Sequence, residues 1–448
     1  MVASMFGRQR RLYYGWVLVV TLAITETASF GVLYYAFTVF LTPMQQELGW
    51  SRAALTGAFS LAQLVNGLAG IPAGRWLDRH GPRLLMTIGS CVAMLLVLAW
   101  SRVESLWQFY LIWAMIGLAG AAVLYEPAFV VVANWFVRRR SRALTVLTFL
   151  AGFASVIFIP LAGRLVETQG WRSALVTLAI ILGVITIPLH ALILRRRPSD
   201  LGLGPDGVPN DGPGAGFDAP SGDQSGGRRQ PEPGSGNSSD ERSVPVREAL
   251  NGAVFRWMAA AFFLNTLGQI ALHVHLVPYL TGRGYSAGFA ATVAGLVGIM
   301  ALPGRLILTP LGDRIPRAYL TAFIFLLQAL ALVVLLTVPS TAGVAVYVVL
   351  FGAGFGAVTP MRAALVAEFY GPAHYGSISG VLAFCITVAR ALGPVSVGLA
   401  FDHFGGYTVP FWVLTGISIA SAGAILMAER AALALRSRTE TRAMGQTM

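Results

Sequence analysis

An arginine stands inside an apolar helix of the sequence at position 305. The segment 298–317 that contains it begins as an apolar helix and ends in a charged turn. A charged side chain inside a membrane helix costs at least about 2.5–3.5 kcal/mol, so such a residue usually faces a cavity and has a function. A guanidinium holds a carboxylate through two parallel hydrogen bonds. We therefore predict that Arg305 binds an anion; the alternative is that its side chain reaches back to the membrane edge.

Four residues that could carry a proton also lie in apolar segments: Glu26, Glu126, His273 and His275. A carboxylic acid or an imidazole can gain and lose a proton during a reaction cycle. We single out Glu26, Glu126 and His275 as proton-coupling candidates. The glutamates could instead pair with embedded arginines, and His275 could be an ordinary hydrogen-bonded residue. Two histidines at i and i+2 do not share a helix face, so they do not predict a metal site.

The composition is that of a membrane protein with many spans. Of the 448 residues 56% are hydrophobic and only 12% are charged, with a mean hydropathy of +0.68. Soluble domains carry roughly 25% charged residues. The net charge of +12 comes from arginines in loops between apolar runs, which membrane topology explains better than nucleic-acid binding. We therefore expect the protein to lie in a lipid bilayer and not to bind nucleic acid.

Motifs for enzymatic chemistry are missing from the sequence. It contains no phosphate-cradling glycine loop, no HExxH motif and no recognisable Ser-His-Asp set. Cys91 and Cys385 both lie in apolar segments and predict neither a disulfide framework nor a metal site. We therefore expect no enzyme, cofactor or metal, and any transport must run on solute or ion gradients.

Apolar runs of roughly 17–25 residues predict an all-α membrane protein with twelve transmembrane helices. They cover 14–40, 53–73, 84–100, 107–133, 143–163, 172–194, 253–280, 287–311, 318–338, 343–367, 377–400 and 408–428. Between the sixth and the seventh, the stretch 200–244 is rich in Gly, Pro, Ser and Asp and predicts disorder. The predicted domains are a six-helix bundle over 1–194, a linker over 195–250, and a second bundle over 251–448 that ends in a short tail.

Arginines in the loops fall mostly on one side of the predicted membrane. That side holds Arg8, Arg10, Arg11, Arg75, Arg79, Arg83, Arg138, Arg139, Arg140, Arg142, Arg195, Arg196, Arg197, Arg314, Arg317, Arg430, Arg436, Arg438 and Arg442. The opposite loops hold only Arg52, Arg102, Arg164, Arg172 and Arg283. The positive-inside rule therefore predicts that both termini and the linker are cytoplasmic and that the protein lies in the cell membrane.

The two halves of the sequence are related by duplication. Pro43, Gly49, Ser51 and Gly163 recur as Pro278, Gly284, Ser286 and Gly398, each 235 positions later, and Glu167 corresponds in the same way to Asp402. A near-constant offset across loops and helices indicates two similar bundles of six helices. Transporters with this design bind their solute near the membrane midplane, between the bundles.

A charged turn is part of this repeat and carries a family resemblance. The segment 74–83, GRWLDRHGPR, and its degenerate copy 309–317, TPLGDRIPR, resemble the signature loop of the major facilitator superfamily. Trp76 and Thr309 stand where that pattern has leucine and glycine. We predict that charges in the two turns latch the halves together when the site faces outward; solvated loop charges are the alternative. The latch candidates are Gly74, Asp78, Arg79, Arg83, Asp313, Arg314 and Arg317.

Further runs narrow the resemblance to one branch of that superfamily. The sequences at 13–16, 49–52, 117–127, 135–144 and 170–172 are similar to those of the monocarboxylate porters and their bacterial oxalate:formate antiporter relatives. The resemblance implies the major facilitator fold, two pseudo-symmetric six-helix bundles that work by alternating access. It also implies that a basic residue of helix eight, here Arg305, binds the substrate carboxylate.

The same resemblance assigns further residues to the site. It places Arg390 of helix eleven where the oxalate:formate relatives have a second basic residue, although Arg390 could instead pair with an embedded acid. It implies that Tyr125 lines the site. Tyr34 or Tyr35 stands where the animal branch has a lysine, and Ala301 where it has an aspartate, so that proton-coupling pair is absent. The three tyrosines could supply cavity hydroxyls or anchor helices at the membrane surface.

These observations together predict a secondary active transporter of a small organic anion. We expect a monocarboxylate, moved with H⁺ or exchanged for another anion, and a monomeric protein. An exporter of larger hydrophobic metabolites or drugs with the same fold is the alternative, and two embedded arginines disfavour cationic drugs. Nitrate porters bring a basic residue from helix two, which 57–73 lacks. A receptor or membrane enzyme has no motif to support it.

Overall fold

The computed structural model describes residues 13–207, 246–312, 314–371 and 375–446, and the secondary structure of these ranges is helical. Helix α1 runs over Tyr14–Leu48, α2 over Arg52–His80, α3 over Pro82–Trp100 and α4 over Leu106–Trp135. Each is an apolar run that ends at a glycine, a serine or a short polar turn. The all-α prediction for this half is confirmed.

The next two crossings form one long apolar segment with a break. Arg140–Ala151 and Ala154–Ile193 follow each other almost directly, and Gly170 inside the second has non-helical angles, φ 76° and ψ 162°. Only glycine adopts such a positive φ without strain. The span Arg142–Ile193 has 52 residues, more than twice the roughly 20 that cross a bilayer. We therefore number two helices here, α5 before Gly170 and α6 after it.

The second half repeats this pattern. Helix α7 runs over Ala253–Gly282, α8 over Ala287–Leu311, α9 over Arg317–Thr337, α10 over Thr341–Tyr370, α11 over Tyr375–Phe404 and α12 over Thr408–Gln446. In the described residues, eleven helical segments are long and apolar enough to cross a membrane. Because one of them contains two crossings, they account for the twelve predicted spans.

Helices α1–α6 pack among themselves, as do α7–α12, and we call these groups the N-half and the C-half. Within the halves, α2 packs on α4, α3 on α6, α8 on α10 and α9 on α12. Among the described residues, the halves meet mainly where α2 packs on α11, α5 on α8, and α1 on α7. The first two pairs are equivalent under the sequence duplication. The halves are therefore related by pseudo-symmetry, as predicted.

The hydrophobic core shows at which end the halves meet. One large cluster contains side chains from both halves, among them Phe40, Trp113, Tyr279 and Tyr407. A second cluster belongs to the C-half alone and a third to the N-half alone. We call the end with the shared cluster the closed end and the other the open end. The loops with most of the arginines lie at the open end.

The predicted linker begins with an ordered segment. Short 3₁₀ turns form at Pro198–Leu201 and Pro205–Gly207. Asp206 accepts hydrogen bonds from the backbone N–H groups of Val137 (3.1 Å), Arg138 (2.7 Å) and Arg139 (3.2 Å). Regular structure therefore extends over 200–207, where composition predicted disorder, because a single carboxylate satisfies three N–H groups of the turn before α5. The predicted disorder over 208–244 lies outside the described residues.

Candidate functional site

The site begins in α1, where the helix changes its winding. Residues Gly31–Tyr35 form a π-helical turn, closed by a 2.9 Å hydrogen bond from the Ala36 N–H to the Gly31 carbonyl. A Cβ at Gly31 would overlap the ring of Phe158, so glycine allows this part of α1 to lie against α5. Such turns often occur at functional sites. Here the turn carries Tyr34 and Tyr35.

An aromatic cluster forms around these tyrosines. The Tyr34 and Tyr35 rings are 5.1 Å apart, and Phe30 lies 4.6 Å from Tyr125 of α4. The imidazole of His273, on α7, stacks on Tyr34 at 5.8 Å and meets Tyr35 edge-on at 4.9 Å. The cluster therefore joins three predicted site residues of the N-half to a histidine of the C-half.

Arg305 reaches this region from α8. Its Nε donates a 3.2 Å hydrogen bond to the Gly356 carbonyl of α10, and the side chain is half-buried. A Cβ at Gly356 would overlap the Ala301 carbonyl, so this glycine lets the two helices approach closely. The Tyr125 hydroxyl lies within electrostatic range of Arg305. Within the described ranges Arg305 forms no salt bridge and no hydrogen bond through its terminal nitrogens.

Arg390 lies midway along α11 and is exposed, although it is far from both ends of a membrane helix. The hydroxyls of Tyr34 and Tyr35 lie within its electrostatic range. It too forms no salt bridge to a described residue. The structure therefore places two guanidiniums of the C-half near three tyrosines of the N-half.

The candidate carboxylates do not neutralise these arginines. Glu26 of α1 is fully buried, and neither of its oxygens has a hydrogen-bond partner among the described residues. Glu126, beside Tyr125 on α4, is exposed and lies within electrostatic range of Glu26. The alternative, a glutamate–arginine pair, is not formed among the described residues in this conformation. A proton-carrying role for either glutamate stays a prediction.

The two histidines of α7 have different surroundings, as their i, i+2 spacing predicts. Both nitrogens of His275 are hydrogen-bonded: Nε2 to the Pro394 carbonyl and Nδ1 to the Tyr407 hydroxyl, each at 2.9 Å. A carbonyl only accepts, so Nε2 carries the proton and Nδ1 accepts from Tyr407. His275 therefore belongs to a structural network, whereas Nε2 of His273 has no partner among the described residues. The coupling role predicted for His275 remains untested, and His273 is the histidine in the aromatic cluster.

The contacts between α2 and α11 show where the two halves separate. A Cβ at Gly398 would lie 3.0 Å from the Ala53 Cα, and one at Gly57 would lie 3.7 Å from Val395. One at Gly67 would still overlap Thr387. Beyond this point a Cβ would meet nothing within 4 Å at three glycines, Gly70, Gly74 and Gly380. The helices therefore touch from the closed end to Thr387 and diverge toward the open end.

The predicted latch residues lie at the open end. Arg79, Arg83 and Arg314 are exposed, and Arg317 forms a 3.3 Å salt bridge with Glu368 of its own half. The side chain of Asp78 and the whole of Asp313 lie outside the described residues. Latching was predicted for the state in which the site faces outward, and at the open end of this structure the helices have diverged, so the latch role stays a prediction.

Other polar groups of the interior escaped the sequence analysis. Asn265 and Gln328 are buried and joined by a 2.7 Å hydrogen bond from Nδ2 to Oε1, and Nε2 of the nearly buried Gln269 has no partner among the described residues. Arg52 was noted only as a loop arginine. The amide side chains in otherwise apolar spans could have revealed these groups, because a polar group inside a membrane costs free energy unless it has a function or a partner.

Comparisons with known proteins agree with this architecture. The sequence signature of the Major Facilitator Superfamily matches residues 22–394. Monocarboxylate transporter 13 of Bos taurus is 26% identical over 417 residues, which covers 92% of this chain and 89% of that protein. The oxalate:formate antiporter of Oxalobacter formigenes is 22% identical over 324 residues, covering 72% and 70%.

Solved structures share the fold. The nucleoside transporter NupG superposes with a TM-score of 0.71 at 12% identity, over 92% of this chain and 99% of that one. A bacterial homologue of the human lysosomal transporter Spinster, in an inward-facing and unoccupied conformation, gives a TM-score of 0.64 at 15% identity, over 95% and 96%. At these identities the likeness concerns the fold alone.

Proposed function

The chain belongs to the Major Facilitator Superfamily, and from this premise we propose that it is a secondary active transporter of a small organic anion. The solute is a monocarboxylate that binds between the two halves. The observation that carries the proposal is the pair of embedded arginines, Arg305 and Arg390, which have no carboxylate partner among the described residues. An uncompensated charge in the membrane interior is costly, so an anionic ligand stabilises such a site.

The chemistry of the pocket favours a carboxylate. Arg305 is held by Gly356 through Nε, which leaves its terminal nitrogens to donate to an anion. Hydroxyls of Tyr34, Tyr35 and Tyr125 can donate further hydrogen bonds. Monocarboxylate and oxalate:formate transporters are among the relatives of this chain, which supports the same substrate class.

Alternating access provides the transport step. In the present conformation the site opens toward the arginine-rich loops, which the positive-inside rule assigns to the cytoplasm. This orientation puts both termini and the linker over 195–250 in the cytoplasm and the chain in the cell membrane, where it works as a monomer. H⁺ symport through Glu26, Glu126 or a histidine and exchange against a second anion are the two coupling modes we propose to distinguish.

A counterflow assay tests the substrate class. Proteoliposomes loaded with one small acid are offered labelled acids from a panel, with a pH gradient imposed or absent. We expect exchange of monocarboxylates and its loss in the Arg305→Ala variant; Arg305→Lys keeps the charge but not the two-nitrogen geometry and loses about 10- to 100-fold. Exchange that depends on the pH gradient indicates H⁺ coupling.

Arg102→Ala is the matched control, because Arg102 is an exposed arginine of a turn at the closed end. It should exchange like the unchanged protein. Undiminished exchange by a folded Arg305→Ala variant would end the assignment. Thermal stabilisation by hydrophobic amines rather than by carboxylates would instead favour the exporter alternative.

A further inference from the structure

Two acidic side chains at the closed end cap helices of the opposite half. Asp402, near the end of α11, accepts hydrogen bonds from the backbone N–H groups of Arg52 (3.1 Å) and Ala53 (2.8 Å), the first two residues of α2. Glu167, near the end of α5, accepts one from the N–H of Gly288, the second residue of α8, at 2.6 Å. The first N–H groups of a helix have no partner within it and favour negative charge. Each carboxylate therefore completes a helix across the interface.

The two caps occupy equivalent places in the duplicated sequence. Glu167 and Asp402 are 235 positions apart, and so are Ala53 and Gly288. The pseudo-symmetry thus carries one cap onto the other. The same arrangement therefore forms twice, between residues about 120 positions apart in one case and about 350 in the other. This repetition indicates a regular feature of the interface rather than an isolated surface contact.

A glycine one turn before each acid makes the caps geometrically possible. A Cβ at Gly398 would overlap Thr56, and one at Gly163 would lie 2.9 Å from the Cβ of Ala291. A Cβ at either glycine would therefore force neighbouring atoms to move. Glycine at both places lets α11 approach α2, and α5 approach α8, closely enough for the acid to reach the helix start.

Serines cap the same helix starts from within their own half. The Ser51 hydroxyl accepts from the Ala54 N–H at 3.1 Å, and the Ser286 hydroxyl accepts from the Phe289 N–H at 3.2 Å. Separation of the halves at the closed end would leave these two bonds intact. It would break the bonds to Asp402 and Glu167, so the serines and the acids can be tested separately.

We propose that Asp402 and Glu167 are positioning residues that hold the closed end together and so set the ratio of the two access states. The inference rests on the proposed alternating-access function. Opening of the closed end requires both carboxylates to leave their helix starts, and this free-energy cost favours the state in which the site faces the open end. The Asp402 cap uses two N–H groups, and Arg52 also donates to Tyr407 across the interface at 2.6 Å.

Distances between spin labels measure this ratio without any substrate. In a Cys91→Ser, Cys385→Ser background, one pair of labels spans the closed end through Glu104→Cys and Thr341→Cys. A second pair spans the open end through Val137→Cys and Ile315→Cys. All four label positions are exposed in the structure. Double electron–electron resonance on the protein in lipid nanodiscs gives the populations of long and short distances.

Cap variants should shift the two pairs in opposite directions. Asp402→Ala and Glu167→Ala lengthen the closed-end distance and shorten the open-end distance, each with a change of about 5-fold in the population ratio. The double variant reaches about 25-fold, because distant sites act additively. Asp402→Glu and Glu167→Asp keep the charge and restore most of the original ratio.

Ser51→Ala and Ser286→Ala are the matched controls. They remove a cap from the same helix starts but break no bond between the halves, so the population ratio should stay unchanged. Unchanged distances in the double variant, or an equal shift in the serine variants, would overturn the proposal. So would a lengthening of both pairs at once, which indicates loss of structure.

The outcome is independent of the substrate assignment. If a folded Arg305→Ala variant still exchanges carboxylates while the cap variants shift the distances as expected, the substrate proposal is wrong and the caps stand. If Arg305→Ala abolishes exchange and the distances do not respond to the cap variants, the reverse holds.

Discussion

The closed end and the open end are built from the same helices but are held in opposite ways. At the closed end α2 and α11 touch through glycines, and carboxylates of one half cap helices of the other. At the open end the same two helices have parted by Gly70 and Gly380, and the described loops of both halves carry exposed arginines. Acidic side chains and helix starts join one end, whereas exposed arginines of both halves lie at the other.

This difference explains how the protein can favour the conformation that is closed at one end without being held in it permanently. Hydrogen bonds to exposed carboxylates contribute little individually and can be exchanged for bonds to water. Repulsion between arginines across a wet gap is similarly weak and is screened by salt. Two weak effects at opposite ends of the molecule therefore favour one conformation without excluding the other.

The sharpest contrast between the ends concerns chemical access. In the background without native cysteines, Gly380→Cys should react with a membrane-impermeant maleimide added from the arginine-rich side, since nothing lies within 4 Å of that position. Thr56→Cys should stay unreactive, because Thr56 is fully buried between the halves at the closed end. Labelling of inside-out and right-side-out vesicles measures both. Equal labelling of the two positions would contradict the open/closed assignment.

The second prediction concerns Arg390, which lies between the closed end and the open end. Arg390→Ala should lower the apparent affinity for the transported anion by about 10- to 100-fold, the loss of a hydrogen-bonded charge pair. Arg390→Lys should recover part of it. Concentration-dependent counterflow measures the effect, with Arg102→Ala as the control. An unaltered affinity would make Arg390 a structural charge.

A third prediction uses glycines of the same two helices. Gly398→Val should destabilise the closed end by about 1–3 kcal/mol, as overpacked side chains do, because its Cβ would overlap Thr56. Gly70→Val on the partner helix places its side chain in open space and should leave the thermal stability unchanged. Thermal unfolding in detergent compares the two variants. Equal destabilisation would mean that helix propensity, not the interface, determines the response.

The smallest effect is expected at the open end, where Asp206 holds the turn before α5. Burial acts to raise the pKa of Asp206, but hydrogen bonds from the N–H groups of Arg138, Arg139 and Val137 outweigh it and lower the pKa below its ordinary value of 3.8. The contact therefore contributes its full free energy to the stability of the turn at any pH above the unfolded-state pKa of Asp206. This contribution is lost only as the pH falls through the lower folded-state pKa. At neutral pH it is complete.

Hydrogen exchange of the backbone over 137–139 measures this contact. Asp206→Asn should speed exchange there by an amount that corresponds to about 1 kcal/mol or less. Asparagine tolerates the positive φ of 57° at this position, so the backbone is not disturbed. Asp200→Asn is the control, because Asp200 accepts a hydrogen bond from the N–H of Arg197 in its own turn and not from the 137–139 backbone. No change in the Asp206→Asn variant would show that the linker start does not support the loop.

The sequence predicted the fold because the membrane imposes strong local rules. Every span must be long, apolar and helical, so run lengths gave the twelve crossings and showed where Arg305 and Arg390 interrupt them. The single break at Gly170 was anticipated as a gap between two runs. The family resemblance was confirmed, since the superfamily signature covers most of the chain.

Details that depend on helix rotation were beyond the sequence. Nothing in the sequence distinguishes His273 from His275, which lie two residues apart in the same apolar helix. In the structure His273 contacts the aromatic cluster, whereas His275 forms hydrogen bonds with Tyr407 and Pro394. The order of residues 200–207 also could not be foreseen, because it depends on the distant turn that Asp206 contacts.

The sequence by itself determined which segments cross the membrane, that the chain is duplicated, and which charges lie inside it, because burial in lipid acts on each segment separately. Only the tertiary structure decided which end is open, which groups meet at the site, and that Asp402 and Glu167 complete helices of the opposite half. Those outcomes arise from contacts between residues far apart in the chain, and their energies depend on the packing of whole helices against each other.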